Sequence, residues 1–191
     1  MAWKRLADEE DIEFTRQDNE KLRGVSRRKS LEILLKGKKV SEEKMQEMMG
    51  RKNNYYQEYI QTITPADFLP GIKKILDYLQ EKNYKLAVAS ASKNAKEVIK
   101  NLEITDVFEQ ISDGYSVENT KPAPDLFLYT AEKLKVNNES CVVIEDAKSG
   151  VEAALEAGML AVGVGPKKRF GKADLLYEQV EDINLKEILN N

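Results

Sequence analysis

The chain has 191 residues, 33% of them charged, and a formal net charge of −3. That length suits one compact core with a smaller accessory domain, and the near-balanced charge leaves no basic field to hold a nucleic-acid backbone. With no histidine and one cysteine, Cys141, no Ser-His or Cys-His nucleophile pair, histidine zinc site or internal disulfide can form. Chemistry must then use carboxylates, lysines, hydroxyls and a hard metal, an inventory suited to phosphoryl groups and magnesium. No apolar window reaches the length of a membrane span, and Met1-Ala2-Trp3-Lys4 leads into acidic helix rather than a signal core. A soluble, cytoplasmic protein is expected.

Residues 1 to about 64 read as helix throughout. Residues 2–7 form a short helical segment, 26–35 carry Leu31, Ile33, Leu34 and Leu35, and 41–63 form a long helix. Ser41 with Lys44 is half a capping box, and Glu42 and Glu43 suit a first turn. Thr64-Pro65 ends this part, because the residue before proline disfavours helix. From Ala66 onward strands and helices alternate. Candidate strands are 86–89, 108–112, 141–144 and 160–164, with helices near 71–82, 95–102, 124–134 and 148–157. This order predicts an α/β fold, a Rossmann-like parallel sheet with helices on both faces, and an all-helical cap. The cap is residues 1–64 and the core is residues 65–191.

Chemistry-bearing residues gather where strands stop. Val142-Val143-Ile144 ends in Glu145-Asp146, then Ala147-Lys148-Ser149-Gly150 opens a helix. Two carboxylates at the carboxyl edge of a buried strand suggest a metal site, since unpaired charges there are costly. Asp146 as a simple helix cap is the plainer alternative. Ser90-Ala91-Ser92-Lys93-Asn94 offers hydroxyls, a lysine and free N–H groups at a helix start, a cradle for phosphate. N-capping by Ser92 or Asn94 explains it as well. In Lys121-Pro122-Ala123-Pro124-Asp125 the prolines hold Lys121 on a stiff loop, and Pro124 suits the first turn of a helix. A positioned ammonium would offset charge developing on phosphoryl oxygens; a solvated lysine is the alternative.

In that order, the three clusters resemble the second, third and fourth motifs of the haloacid dehalogenase superfamily. Within it the chain is similar to the β-phosphoglucomutase family, whose members carry a helical cap. Gly24-Val25-Ser26-Arg27-Arg28-Lys29-Ser30 resembles the cap's substrate loop, Arg51-Lys52-Asn53 its second contact, and Trp3-Lys4 the start of the first cap helix. The similarity covers essentially the whole chain.

The resemblance implies interconversion of β-glucose 1-phosphate and glucose 6-phosphate through an aspartyl-phosphate and the 1,6-bisphosphate. It assigns Mg2+ to Glu145 and Asp146, and the transferring phosphoryl group to Ser90 and Lys121. The other phosphate falls to Arg27, Ser92, Lys93 and Asn94, with Ala91 in the same loop. Gly24, Ser30, Lys52 and Asn53 would line the sugar side. On spacing alone Arg27 and Ser30 read as an exposed turn and an ordinary helix position, and Lys52 as one charge on a solvated face. Tyr55, Tyr56 and Tyr59 read as helix packing. The resemblance implies a small sugar-phosphate partner bound by a monomer, with no nucleic acid and no membrane.

The family's first motif has no match. It is an Asp-x-Asp pair on a first, central strand, supplying the nucleophile and the general acid/base. Asp8 and Asp11 sit on a charged helical segment with no buried strand before them. The nucleophile is therefore expected to be absent, the chain inactive alone, and the start misplaced, split or partial relative to a normal enzyme. A lost strand would also cost stability: each buried apolar side chain contributes about 1.5–3 kcal/mol against a net margin of about 5–15 kcal/mol. The alternatives are a sugar-phosphate phosphatase of the same superfamily and a non-catalytic sugar-phosphate binding protein.

Overall fold

A computed structural model describes residues 2–189. The first part holds four helices, α1 (Ala2–Glu9), α2 (Arg16–Lys21), α3 (Arg27–Leu34) and α4 (Glu42–Ile60). Each of the last three starts at a hydroxyl cap. Ser26 Oγ accepts from Lys29 N and Ser41 Oγ from Lys44 N, both at 3.2 Å. Thr15 and Asp18 complete a reciprocal capping box that starts α2. These bonds satisfy donors that a helix N-terminus otherwise leaves orphaned. Leu6, Leu31, Leu34, Met45 and Met48 come from α1, α3 and α4 and close a small apolar core of their own.

The rest follows an α/β order: α5 (Ile72–Glu81), β1 (Ala87–Ala89), α6 (Ala95–Asn101), β2 (Gln110–Ser112) and α7 (Asp125–Leu134). Then come β3 (Val142–Glu145), α8 (Lys148–Glu156), β4 (Leu160–Val164), β5 (Leu175–Tyr177) and α9 (Leu185–Leu189). All pairings are parallel. β1 pairs with β2, Val88 opposite Ile111; β3 pairs with β4, Ile144 opposite Val162; β4 pairs with β5, Gly163 opposite Leu176. Ala161, Val162, Gly163 and Val164 are all buried, so β4 is covered on both faces as a central parallel strand must be. A second apolar core joins Phe127, Val143, Val151, Ala154 and Met159.

Among the described residues the sheet is in two pieces, β1-β2 and β3-β4-β5. β1 and β3 are not hydrogen-bonded to each other, and β3 leaves Val142 and Ile144 exposed while Val143 is buried. Lys121 spans the division by reaching a carbonyl of β1 and a carboxylate of β3.

Several sequence boundaries shift. Ser26 and Ser41 are caps rather than helical residues, the long helix stops at Ile60, and Pro124 is the N-cap of α7 rather than part of its first turn. The strand expected over 108–112 is only Gln110–Ser112; Phe108 and Glu109 link it to a 3-10 turn that closes at Val107. Helix α9 and strand β5 have no counterpart in the sequence reading, and α2 falls in the part read as helix without being marked off as an element.

Candidate active site

The carboxyl ends of β1, β3 and β4 open into one cavity of about 970 Å³ that the helical part roofs over. This is where ligands of open parallel sheets bind. The loop after β1 supplies Ser90 to Asn94, the turn after β3 supplies Glu145 and Asp146, and Lys121 enters ahead of α7. From the helical side Trp3, Gly24, Arg27, Ser30, Lys52 and Tyr56 face the same space. Asn53 does not line it. It stands behind, where its Oδ1 accepts from Arg27 Nη2 at 2.7 Å and from Asn94 Nδ2 at 3.0 Å. One amide thus ties the Arg27 guanidinium to the loop after β1.

That loop is built by its own hydroxyls. Ser90 Oγ accepts from Ser92 N, and Ser92 Oγ from Asn94 N, both at 3.2 Å. The Ser92 hydroxyl lies near the Tyr56 phenol and favours its ionised form. Asn94 stands at the N-cap of α6 but makes no side-chain cap bond; its amide is committed to Asn53 instead. Gly114 has to be glycine, because a Cβ there would lie 2.5 Å from Ala91 O.

Lys121 is not a solvated lysine. Its side chain is 4% exposed, and its Nζ donates to Ala89 O at 2.9 Å and to the Glu145 carboxylate. Phe127 closes over the ammonium with its ring centroid at 4.6 Å. Gly150 makes room for this pair, since a Cβ at that position would lie 2.2 Å from Glu145 Cδ.

Asp146 is not the cap of α8, a position that Ala147 occupies without a side-chain bond. Its carboxylate takes Arg23 Nη1 at 2.7 Å, and its carbonyl accepts from Arg169 Nη1 at 3.1 Å. Glu20 closes the ring, accepting from Arg23 Nε at 3.1 Å and from Arg169 Nε at 2.9 Å. Next to it Gly24 sits at φ +69°, where a Cβ would lie 2.5 Å from Ser149 Oγ. Ser149 Oγ in turn donates to Arg23 O at 3.2 Å. Arg23 and Gly24 are therefore seated directly on the turn after β3.

Magnesium takes one or two carboxylates together with waters and phosphate oxygens. Asp146, 64% exposed on the cavity wall, suits that demand. Glu145 is turned toward Lys121 and neutralises it. Among the described residues no cluster of three or more acidic, cysteine or histidine side chains forms.

Burial depresses two cap cations. Arg27 is pulled below its usual range by desolvation, and Lys52 falls to about 8, first through burial and then through the nearby Arg27 charge. Burial pushes the Tyr56 phenol up, opposed by the nearby Ser92 hydroxyl. Tyr56 thus belongs to the cavity wall, a role the sequence reading withheld from it. Tyr55 does pack on the cap core, and Tyr59 is 41% exposed. Arg23, Arg169 and Glu20 were also missed.

Residues 2–164 match the family model for haloacid dehalogenase-like hydrolase. The chain belongs to the haloacid dehalogenase-like hydrolase family. It is 43% identical to the β-phosphoglucomutase of Bacillus subtilis over 97% of this chain and 84% of that protein. The phosphorylated carbohydrates phosphatase of Thermotoga maritima is 30% identical over 99% of this chain and 88% of its own length. The crystal structure of β-phosphoglucomutase from Clostridium difficile superposes with a TM-score of 0.93 at 39% identity, covering 100% of this chain and 87% of that one. The α/β architecture with parallel strands is thus the one this family shares. No helix among the described residues is long and apolar enough to cross a membrane.

Proposed function

We propose that the cavity is the sugar-phosphate pocket of a β-phosphoglucomutase, which interconverts β-glucose 1-phosphate and glucose 6-phosphate through the 1,6-bisphosphate. The observation that carries this reading is the convergence of Ser90, Lys121 and Asp146 on one cavity that Arg27 and the 92–94 loop also line. Anion-binding groups drawn from both the helical part and the strand ends suit a bisphosphate better than a single phosphate. Similarity to two β-phosphoglucomutases at 43% and 39% identity supports the same choice.

Each group then has a task. Ser90 and Lys121 hold the transferring phosphoryl group, where the ammonium offsets charge developing on its oxygens. Arg27, Ser92, Lys93 and Asn94 hold the second phosphate, the guanidinium by a two-pronged contact. Gly24, Ser30 and Lys52 flank the sugar, and Asn53 keeps Arg27 and Asn94 in register. Asp146, with Glu145 beside it, holds Mg2+, which neutralises phosphoryl charge when bound. Closure of residues 1–64 over the core excludes water and favours transfer to sugar over hydrolysis.

Phosphoryl transfer by this route needs an in-line carboxylate. The carboxylates lining the cavity are Glu145, Asp146, Glu178 and Glu181, and the first two already hold Lys121 and Arg23. Asp146 is the one aspartate of the four and is paired with Arg23, so we assign neither the attacking nor the acid/base role to this set. Residues 1–191 alone should bind glucose 6-phosphate by calorimetry and show no mutase turnover. Joining an in-frame upstream strand that ends in Asp-x-Asp should restore it. Turnover by residues 1–191 unaided would refute the assignment. The phosphatase reading is favoured by the Thermotoga maritima relative; on it, water receives the phosphoryl group and added 1,6-bisphosphate fails to stimulate the joined enzyme.

A further inference from the structure

Lys52 is an unusual cation. Its Nζ has no carboxylate partner and no hydrogen bond among the described residues. It stands 4.4 Å from the ring centroid of Tyr56 and 4.9 Å from that of Trp3, on the cavity wall. Its sequence neighbour Asn53 bonds both Arg27 and Asn94, and Tyr56, one turn further along α4, lines the same cavity as Ser92. The amine therefore shares its cavity with the proposed phosphate-holding groups.

We infer that Lys52 is a carbonyl-reactive site, whose amine condenses with a small phosphorylated aldehyde held at its phosphate by Arg27 and the 92–94 loop. The inference rests on reading the cavity as a sugar-phosphate pocket. In the step, the neutral amine attacks the carbonyl carbon, and a carbinolamine forms. Its hydroxyl leaves with the remaining amine hydrogen as water, and a C=N bond remains. No oxidant or reductant is needed. Condensation requires an unprotonated amine, and two features of the surroundings favour one. Burial disfavours the ammonium, Arg27 from α3 repels it, and the rings of Trp3 and Tyr56 give only partial compensation. Glucose 6-phosphate belongs to the same chemical class in its open-chain form, so the imine would be a slow block by the enzyme's own product.

The probe is pyridoxal 5′-phosphate, applied to the whole 191-residue chain, with borohydride trapping and peptide mapping. Lys52 should carry the label ahead of exposed lysines such as Lys73, whose side chain is 81% exposed. Pyridoxal, which lacks the phosphate, should label about tenfold less, the size of one lost charge-assisted contact. Inorganic phosphate should protect. Arg27→Ala keeps the amine and removes its anchor, so labelling should fall by a similar factor; Lys52→Arg should lose it. Label spread according to exposure, or indifferent to Arg27→Ala, overturns the inference. If Lys52 stays unlabelled while calorimetry still detects glucose 6-phosphate, only this inference fails. If neither is seen, the pocket reading fails with it.

Discussion

Arg23 Nη1 lies 2.7 Å from Asp146 Oδ2, and the two residues belong to the two halves that enclose the cavity. The guanidinium thereby occupies one oxygen of the carboxylate proposed to hold Mg2+. Cation binding and this cap contact compete for one group. Both partners are partly exposed, so the pair contributes about 0.2–1 kcal/mol. Arg23→Ala should therefore tighten Mg2+ binding, by no more than about fivefold, in a calorimetric or NMR titration. Mg2+ added to the unmodified chain should expand it slightly in small-angle scattering. Unchanged affinity in the variant would show that Asp146 is not shared.

Lys121 and Glu145 present the opposite case. Their side chains are 4% and 11% exposed, so each charge depends on the other. Removing one partner of a buried pair costs about 3–5 kcal/mol, because the other charge is left uncompensated. Lys121→Met should lower the melting temperature sharply, and Lys121→Met with Glu145→Gln should recover much of the loss. A double variant no more stable than the single would mean that Lys121 acts through Ala89 O and Phe127 alone.

What could be read from the sequence follows the range of the interactions involved. The β3 run into Glu145-Asp146 and the hydroxyl-rich loop after β1 are local patterns, and the structure brings both to one cavity. Helix α2, Arg-Gln-Asp-Asn-Glu-Lys, buries none of its residues and carries no periodic apolar signal, yet Thr15-x-x-Asp18 was a readable cap. Strand β5 is three residues long and gives no alternation to count. Arg23 pairs with a residue 123 positions away and Arg169 with one 149 away. Their partners are decided by tertiary packing, which no local spacing encodes. Tyr56 was misread because an aromatic on a helix is usually packing, and nothing in the sequence announces Ser92 opposite it.

Two glycines make opposite predictions for the same substitution. Helix propensity favours alanine over glycine by about 1 kcal/mol in both. Gly50 lies inside α4 with nothing within 4 Å of an added Cβ, so Gly50→Ala should stabilise by roughly that amount. At Gly150 in α8 the added Cβ falls 2.2 Å from Glu145 Cδ and 2.4 Å from its Oε2. Relief requires moving a buried carboxylate off Lys121, which outweighs the propensity gain. Gly150→Ala should lower the urea midpoint while Gly50→Ala raises it. If both raised it, the packing of Glu145 against α8 would be wrong.

Acid should act first on the helix caps. Asp18 is held at about 2 instead of 3.8, chiefly by the backbone N–H of Thr15, then by Lys36 and the Thr15 hydroxyl. Glu42 is likewise held at about 2 instead of 4.5, chiefly by the two-pronged Arg28 contact and then by Gln46. A carboxyl depressed on folding binds fewer protons in the native than in the unfolded state, so its stabilisation is complete above the unfolded value. It is lost as pH falls from the unfolded value toward about 2, from 3.8 for Asp18 and from 4.5 for Glu42. Carboxyl carbon NMR should place both midpoints near 2. Thr15→Ala removes the hydroxyl but keeps the backbone donor, so it should move Asp18 only part of the way up, while Arg28→Ala should release Glu42 further. An Asp18 that titrates at its ordinary value in the unmodified chain would mean that the Thr15–Asp18 box is open in solution.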